Sequence, residues 1–258
     1  MSRIPEVFKR KKKQVLSIYF TAGFPRLNDT IFILKALENS GADMVELGMP
    51  YSDPLADGEV IQASSSKALS NGMTISLLFE QLKDLRKSIS MPIILMGYMN
   101  PVLQYGFEKF CVKAKELGID GVIIPDLPMY EYESEYGPVL KKNGLDFIFL
   151  VTPETSDERV KKLDALSSGF LYAVSSSSTT GKDKNMSDQT RYFQKLQQMQ
   201  LKNPLMVGFG IKDRTTFETS CQFANGGIIG TAFIRAIADA PDVENATKNF
   251  INSIKKDQ

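Results

Sequence analysis

Two hydrophobic rhythms alternate along this chain. Short apolar runs of strand length occur at Leu16–Phe20, around Glu46, and at Ile93–Gly97, 122–124, Phe147–Val151, Phe170–Val174, Leu205–Phe209 and Gly227–Ile229. Between them apolar residues recur every three or four positions, the spacing of an amphipathic helix. Helices are thus predicted at Asp29–Asn39, Val60–Ser70, Ser76–Ser88, Phe107–Leu117, Tyr130–Lys142, Asp157–Leu166, Asp188–Met199 and Arg214–Phe223. The first carries Ile31, Leu34 and Leu37 on one stripe with Gly41 after its end, and Gly144 ends the helix begun at Tyr130. Pro5 opens a short extra helix before the first strand, Thr231 opens another after the eighth, and a helical tail closes the chain. Eight strand and helix alternations with near-continuous apolar strands describe a parallel sheet covered by helices, and over this length they predict a single-domain (βα)8 barrel spanning residues 1–258. A doubly wound open sheet is the alternative, and the lack of a GxGxxG after the first strand weakens it.

Composition narrows the function. A hydrophobic content of 43% fills such a core, and a net charge of +1 argues against a surface built to neutralise nucleic-acid phosphates. No segment approaches the ~20 apolar residues that span a bilayer. The basic run Lys9–Lys13 before an apolar stretch resembles a secretory signal, but that stretch is strand-length and no A-x-A site follows. Cys111 and Cys221 lie in different helical segments with no CxxC, so reduced thiols and a cytoplasmic location are expected. The chain has no His. Proton work falls to carboxylates, Tyr and Lys, and no metal site or cofactor is called for.

The stretch Asp43–Gly58, DMVELGMPYSDPLADG, holds the strongest candidate chemistry. Glu46 lies mid-strand among apolar neighbours, where a carboxylate must be paired, hydrated by a cleft or shifted toward its neutral form. Asp57 follows eleven residues later, in a loop punctuated by Pro50, Pro54 and Gly58. Two carboxylates in different environments offer separate acid and base roles. The structural alternative is an ion-paired Glu and an Asp capping the helix begun at Glu59.

In a (βα)8 barrel chemistry sits at the C-terminal strand ends. Those ends carry Tyr19, Phe20 and Thr21, then Met96, Tyr98 and Asn100, then the PDLP loop from Pro125, then Tyr172 and Val174. Polar groups among aromatics suit a ligand with a flat apolar part. After the last two strands stand VGFGI (Val207–Ile211) and GGIIGTA (Gly226–Ala232). Small residues there admit backbone N–H groups to an anion, and the helix start adds a favourable dipole, so the pair reads as a phosphate cradle with Gly181 as a further donor. The polar loop Ser175–Ser187 reads as a mobile lid, with Thr180 placed to bond Asp57 when it closes.

The segment Val45–Gly58 matches the signature of the tryptophan synthase alpha subunit family position by position. The likeness extends to FTAGFP (20–25), GYMNP (97–101), PDLP (125–128), YAVSSSSTTG (172–181), GFGI (208–211) and GTA (230–232). The resemblance implies a (βα)8 barrel and a cofactor-free carbon–carbon lyase of the aldehyde-lyase type. Its reaction is retro-aldol cleavage of indole-3-glycerol phosphate to indole and glyceraldehyde 3-phosphate. It further implies passage of indole to a beta subunit in an assembly of two alpha and two beta chains. By position it makes Glu46, Asp57 and Tyr172 catalytic. Tyr19, Met96 and Val174 then line the indole pocket, Gly181, Gly210, Gly230 and Thr231 hold phosphate, and Thr180 belongs to the lid. Tyr51 stands where Phe is common in that family, Thr231 where Ser is common, and Ser176 where some members have Arg. Two other readings compete: a phosphoribosylanthranilate isomerase-like barrel, which the Glu46–Asp57 signature disfavours, and a non-catalytic subunit activating a beta partner, which the presence of both carboxylates disfavours.

Overall fold

The computed structural model describes residues 2–174, 186–208 and 210–255. The strands are β1 (Val15–Thr21), β2 (Met44–Gly48), β3 (Ile93–Met96), β4 (Gly121–Ile123), β5 (Asp146–Phe147), β6 (Leu150–Val151), β7 (Leu171–Val174), β8 (Leu205–Gly208) and β9 (Gly226–Ile229). All pair in parallel in the order β5-β4-β3-β2-β1-β9-β8-β7-β6. The expected fifth strand is present but broken, since β5 pairs only with β4 and β6 only with β7. Between the halves the Ile148 N–H still donates to Val122 at 3.1 Å, and the Tyr172 N–H donates to Phe149 at 3.0 Å. One bent strand therefore joins both edges, and the ring closes as the eight-fold barrel the apolar rhythm predicts.

The strands read as continuous apolar runs because both faces are covered: β1 and β2 are buried along their whole length. The outer layer begins with helices such as Thr30–Asn39, whose Ile33, Leu34 and Leu37 face the sheet. Three elements differ from the sequence reading. A helix at Met99–Tyr105 precedes Phe107–Glu116, with Gly106 at φ +96 making the corner between them. The segment expected as one helix over Ser76–Ser88 is an α-helix at Ile75–Gln81 followed by a 3-10 turn at Leu85–Lys87. The helix expected from Tyr130 to Lys142 runs from Met129 to Lys142 with a π turn at Tyr132–Tyr136.

The N-terminal helix Ile4–Arg10 closes the end of the barrel opposite the C-terminal strand ends, with Ile4 and Val7 buried. Its anchor is the fully buried Asp120, which pairs with Arg3 at 3.0 Å and Arg86 at 2.6 Å and accepts the Arg3 and Ile93 N–H groups. Each lone pair of that carboxylate has a donor, as a buried charge requires. Among the described residues no helix is long and apolar enough to cross a membrane.

Candidate active site

Register places the carboxylate of β2. Glu46 pairs across to Tyr19 on β1 and Ile94 on β3, all facing the barrel interior, and it is fully buried. Ser17, two residues before Tyr19 and so on the same face, donates its hydroxyl to Glu46 Oε1 at 3.1 Å. Oε2 is buried with no hydrogen-bond partner among the described residues. Burial, opposed only in part by the Ser17 bond, pushes the Glu46 carboxyl up to about 8. A buried carboxyl with one unused oxygen is a candidate proton carrier.

Asp57 reaches the same place from the loop after β2. Its N–H closes a turn onto Pro54 at 3.0 Å, and its carbonyl accepts the Gln62 amide at 2.8 Å. It does not cap the following helix: Gly58 is the N-cap of Glu59–Ser70, and no side chain caps that end. The carboxylate is thus not committed to the helix start. Burial raises it to about 6, against a lowering hydrogen bond from Tyr98. Around neutral pH the pair is therefore held with Glu46 protonated and Asp57 ionised.

One cavity gathers most of the expected residues. It is open to solvent, about 70 Å³ in volume, and lined by Tyr19, Asp57, Ile61, Met96, Tyr172, Gly210, Ile211, Ile228, Gly230 and Thr231. Tyr19, Met96, Tyr172 and the isoleucines form an apolar, aromatic wall. Gly210 and Thr231 stand exposed at the rim, where Gly230 is the N-cap of the helix Thr231–Ile237. No lysine or arginine is among the described lining residues, so an anion at the rim would meet backbone N–H groups and a hydroxyl rather than a counter-charge. A larger, shallower depression lined by Arg26, Lys67, Asn71 and Asp239 gathers none of the expected residues.

The two tyrosines fit because glycines face them. A Cβ on Gly48 would stand 2.4 Å from the Tyr19 hydroxyl, and one on Gly208 would stand 2.0 Å from that of Tyr172. The first glycine of VGFGI therefore makes room for Tyr172 and is no part of the rim. The second, Gly210, has φ +76 and lines the cavity. Burial raises both phenols well above their ordinary value, with Asp57 adding to Tyr19 and Glu46 adding to Tyr172, so both stay protonated donors. Val174 is buried at the end of β7, paired with Gly208, but is not among the cavity lining. Thr180, Gly181 and Ser176, with the expected lid up to residue 185, lie outside the described residues, and Met186 and Ser187 open the helix Met186–Gln198.

Four contributors were missed in the chain. Ser17 was legible as the polar residue two before Tyr19 in an apolar strand; Ile61, Ile211 and Ile228 carry no signal beyond hydrophobicity. Among the described residues no group of three His, Cys, Asp or Glu is placed to hold a metal ion.

A closed parallel barrel with two carboxylates of unequal proton affinity at its C-terminal face defines a (βα)8-barrel protein with an acid/base site. Residues 6–257 match the family model described as tryptophan synthase alpha chain. The tryptophan synthase alpha chain of Flavobacterium psychrophilum is 51% identical over 99% of this chain and 98% of its own length. The solved alpha subunit of Legionella pneumophila superposes with a TM-score of 0.89 at 35% identity, covering 98% of this chain and 97% of that one. A chain from the tryptophan synthase complex of Pyrococcus furiosus gives 0.85 at 32% identity, over 94% of this chain and 98% of that chain. The chain belongs to the tryptophan synthase alpha chain family.

Proposed function

We propose that this cavity cleaves indole-3-glycerol phosphate to indole and glyceraldehyde 3-phosphate, the indole passing to a beta subunit in an assembly of two alpha and two beta chains in the cytoplasm. The carrying observation is a pair of carboxylates of unequal proton affinity: Asp57, which lines the cavity, is raised to about 6, and Glu46, fully buried beside the cavity residue Tyr19 though not itself among the lining, is raised to about 8. Retro-aldol cleavage needs both states at once. Protonation of indole C3 turns the ring into an indolenine with positive charge at N1, and the Glu46 carboxyl supplies that proton. An ionised Asp57 accepts the N1–H and stabilises the charge as it develops. The Glu46 carboxylate then takes the proton of the glycerol hydroxyl. The C–C electron pair returns to the ring, the carbinol carbon becomes the aldehyde, and the acid is regenerated.

The walls suit the two ends of this substrate. Tyr19, Met96 and Tyr172 enclose a flat ring, and Gly210, Gly230 and Thr231 offer N–H and hydroxyl donors to a phosphate at the rim. Val174 and Gly181 belong to the indole and phosphate ends respectively by family position, and Thr180 to the lid. Release of indole from indole-3-glycerol phosphate is the test. Wild type should turn over, and Glu46→Gln and Asp57→Asn, which keep shape and remove proton capacity, should each lose at least ~10²-fold in rate while staying folded by circular dichroism. Turnover of either variant within about two-fold of wild type would remove that residue from the mechanism.

A further inference from the structure

We propose that Tyr98 is the positioning residue of Asp57, itself held by Tyr51 and Asn100; the inference rests on the lyase reading above. Tyr98 follows β3 by two residues and is almost wholly buried. Its hydroxyl accepts the Ala56 N–H at 3.0 Å, which leaves its own proton for the Asp57 carboxylate. A single phenol thereby grips the backbone beside Asp57 and presents its proton toward the carboxylate. The loop needs such a grip, because its tip is loosely covered: Leu55 is 89% exposed.

Tyr98 is in turn fixed from two sides. The Tyr51 ring lies 5.3 Å from it at 33°, and the Asn100 amide donates to the Tyr51 hydroxyl at 3.3 Å. That last bond is possible because Tyr stands at position 51. Next to Tyr98, the Met99 N–H donates to Asp126 at 2.9 Å, so the loops after β2, β3 and β4 meet at one point. Of the titratable groups coupled to Asp57, namely Tyr19 on β1, Tyr98 after β3 and Tyr172 on β7, with Glu46 on β2 lining the same pair of tyrosines, Tyr98 is the one that lowers its proton affinity. The orientation of the carboxylate and its readiness to stay ionised then share one cause.

Tyr98→Phe removes the hydroxyl and keeps the ring. Two readouts are taken on the full chain: the titration of the Asp57 carboxyl by ¹³C NMR, assigned against Asp57→Asn, and kcat and KM for indole release across pH. The expected result is a titration midpoint about half a pH unit or more higher, an acid limb displaced the same way, and kcat ~10-fold lower with KM changed less. Tyr51→Phe keeps both rings and removes only the Asn100 bond; a smaller displacement in the same direction is expected, and it decides the matter if Tyr98→Phe fails to fold. An unchanged midpoint with wild-type kcat would overturn the proposal. A wild type that releases no indole would instead sink the lyase reading, and the NMR midpoint would still judge Tyr98.

Discussion

Glu46 carries two consequences that follow from one buried oxygen. Because its folded pKa of about 8 lies above the ordinary carboxyl value of 4.5, the native state between those limits holds a proton the unfolded chain has released. Stability from this group is full below about pH 4.5 and is lost as pH rises through about 8. Glu46→Gln has no such loss, so its melting temperature relative to wild type should climb between pH 5 and pH 8.5; a constant difference across that range would contradict the buried proton. Asp57 shifts in the same direction to about 6, and catalysis needs it ionised while Glu46 stays protonated. The pH profile of kcat/KM should therefore be a bell with limbs near 6 and 8. At the rim, a Cβ on Gly230 would come within 3.3 Å of Tyr19, a contact small shifts can relieve. Gly230→Ala should stay folded and bind glycerol 3-phosphate roughly 10-fold more weakly in calorimetry, since a methyl narrows the N–H approach. Equal affinity would place the anion elsewhere. Gly210→Val is a poorer probe, because φ +76 strains any branched residue there.

At the scale of elements, the strands were read well and their interruptions were not. The apolar runs located β1 to β4 and β7 to β9 because burial on both faces leaves an unbroken hydrophobic signature. The break between β5 and β6 has no such trace, since the apolar run Phe147–Val151 reads the same whether or not every residue is in register. The π turn in the helix Met129–Lys142 likewise depends on a contact: a Cβ on Gly137 would stand 2.7 Å from the Tyr132 carbonyl. Gly208 was read as a phosphate neighbour from its GFG context, and only the position of the Tyr172 ring assigns it to packing. Gly208→Ala should cost about 1 to 3 kcal/mol in urea unfolding, as an overpacked core does, and slow turnover by displacing Tyr172. An unchanged midpoint would show that the Tyr172 ring moves freely.

The whole molecule separates stability from chemistry along the barrel axis. The Asp120 cluster with Arg3 and Arg86 closes one end, and the cavity lined by Asp57 opens at the other. Removing one partner of a buried ion pair leaves an uncompensated charge, so Asp120→Ala should destabilise by about 3 to 5 kcal/mol while turnover per folded molecule is retained. A large loss of turnover in the folded variant would show the two ends to be coupled.

Sequence by itself determined the barrel and singled out its candidate reactive groups. Eight apolar runs between amphipathic segments admit few other closed arrangements, Glu46 stands as a charge where charge is costly, and Asp57 is singled out by the family signature over Val45–Gly58. What only the tertiary structure decided is how those charges are held. The proton affinities of Glu46 and Asp57, the grip of Ser17 and Tyr98, and the glycines that admit Tyr19 and Tyr172 all arise between residues far apart in the chain. Periodicity along one strand says which way a side chain points; desolvation and hydrogen bonding depend on what the neighbouring strands put opposite it.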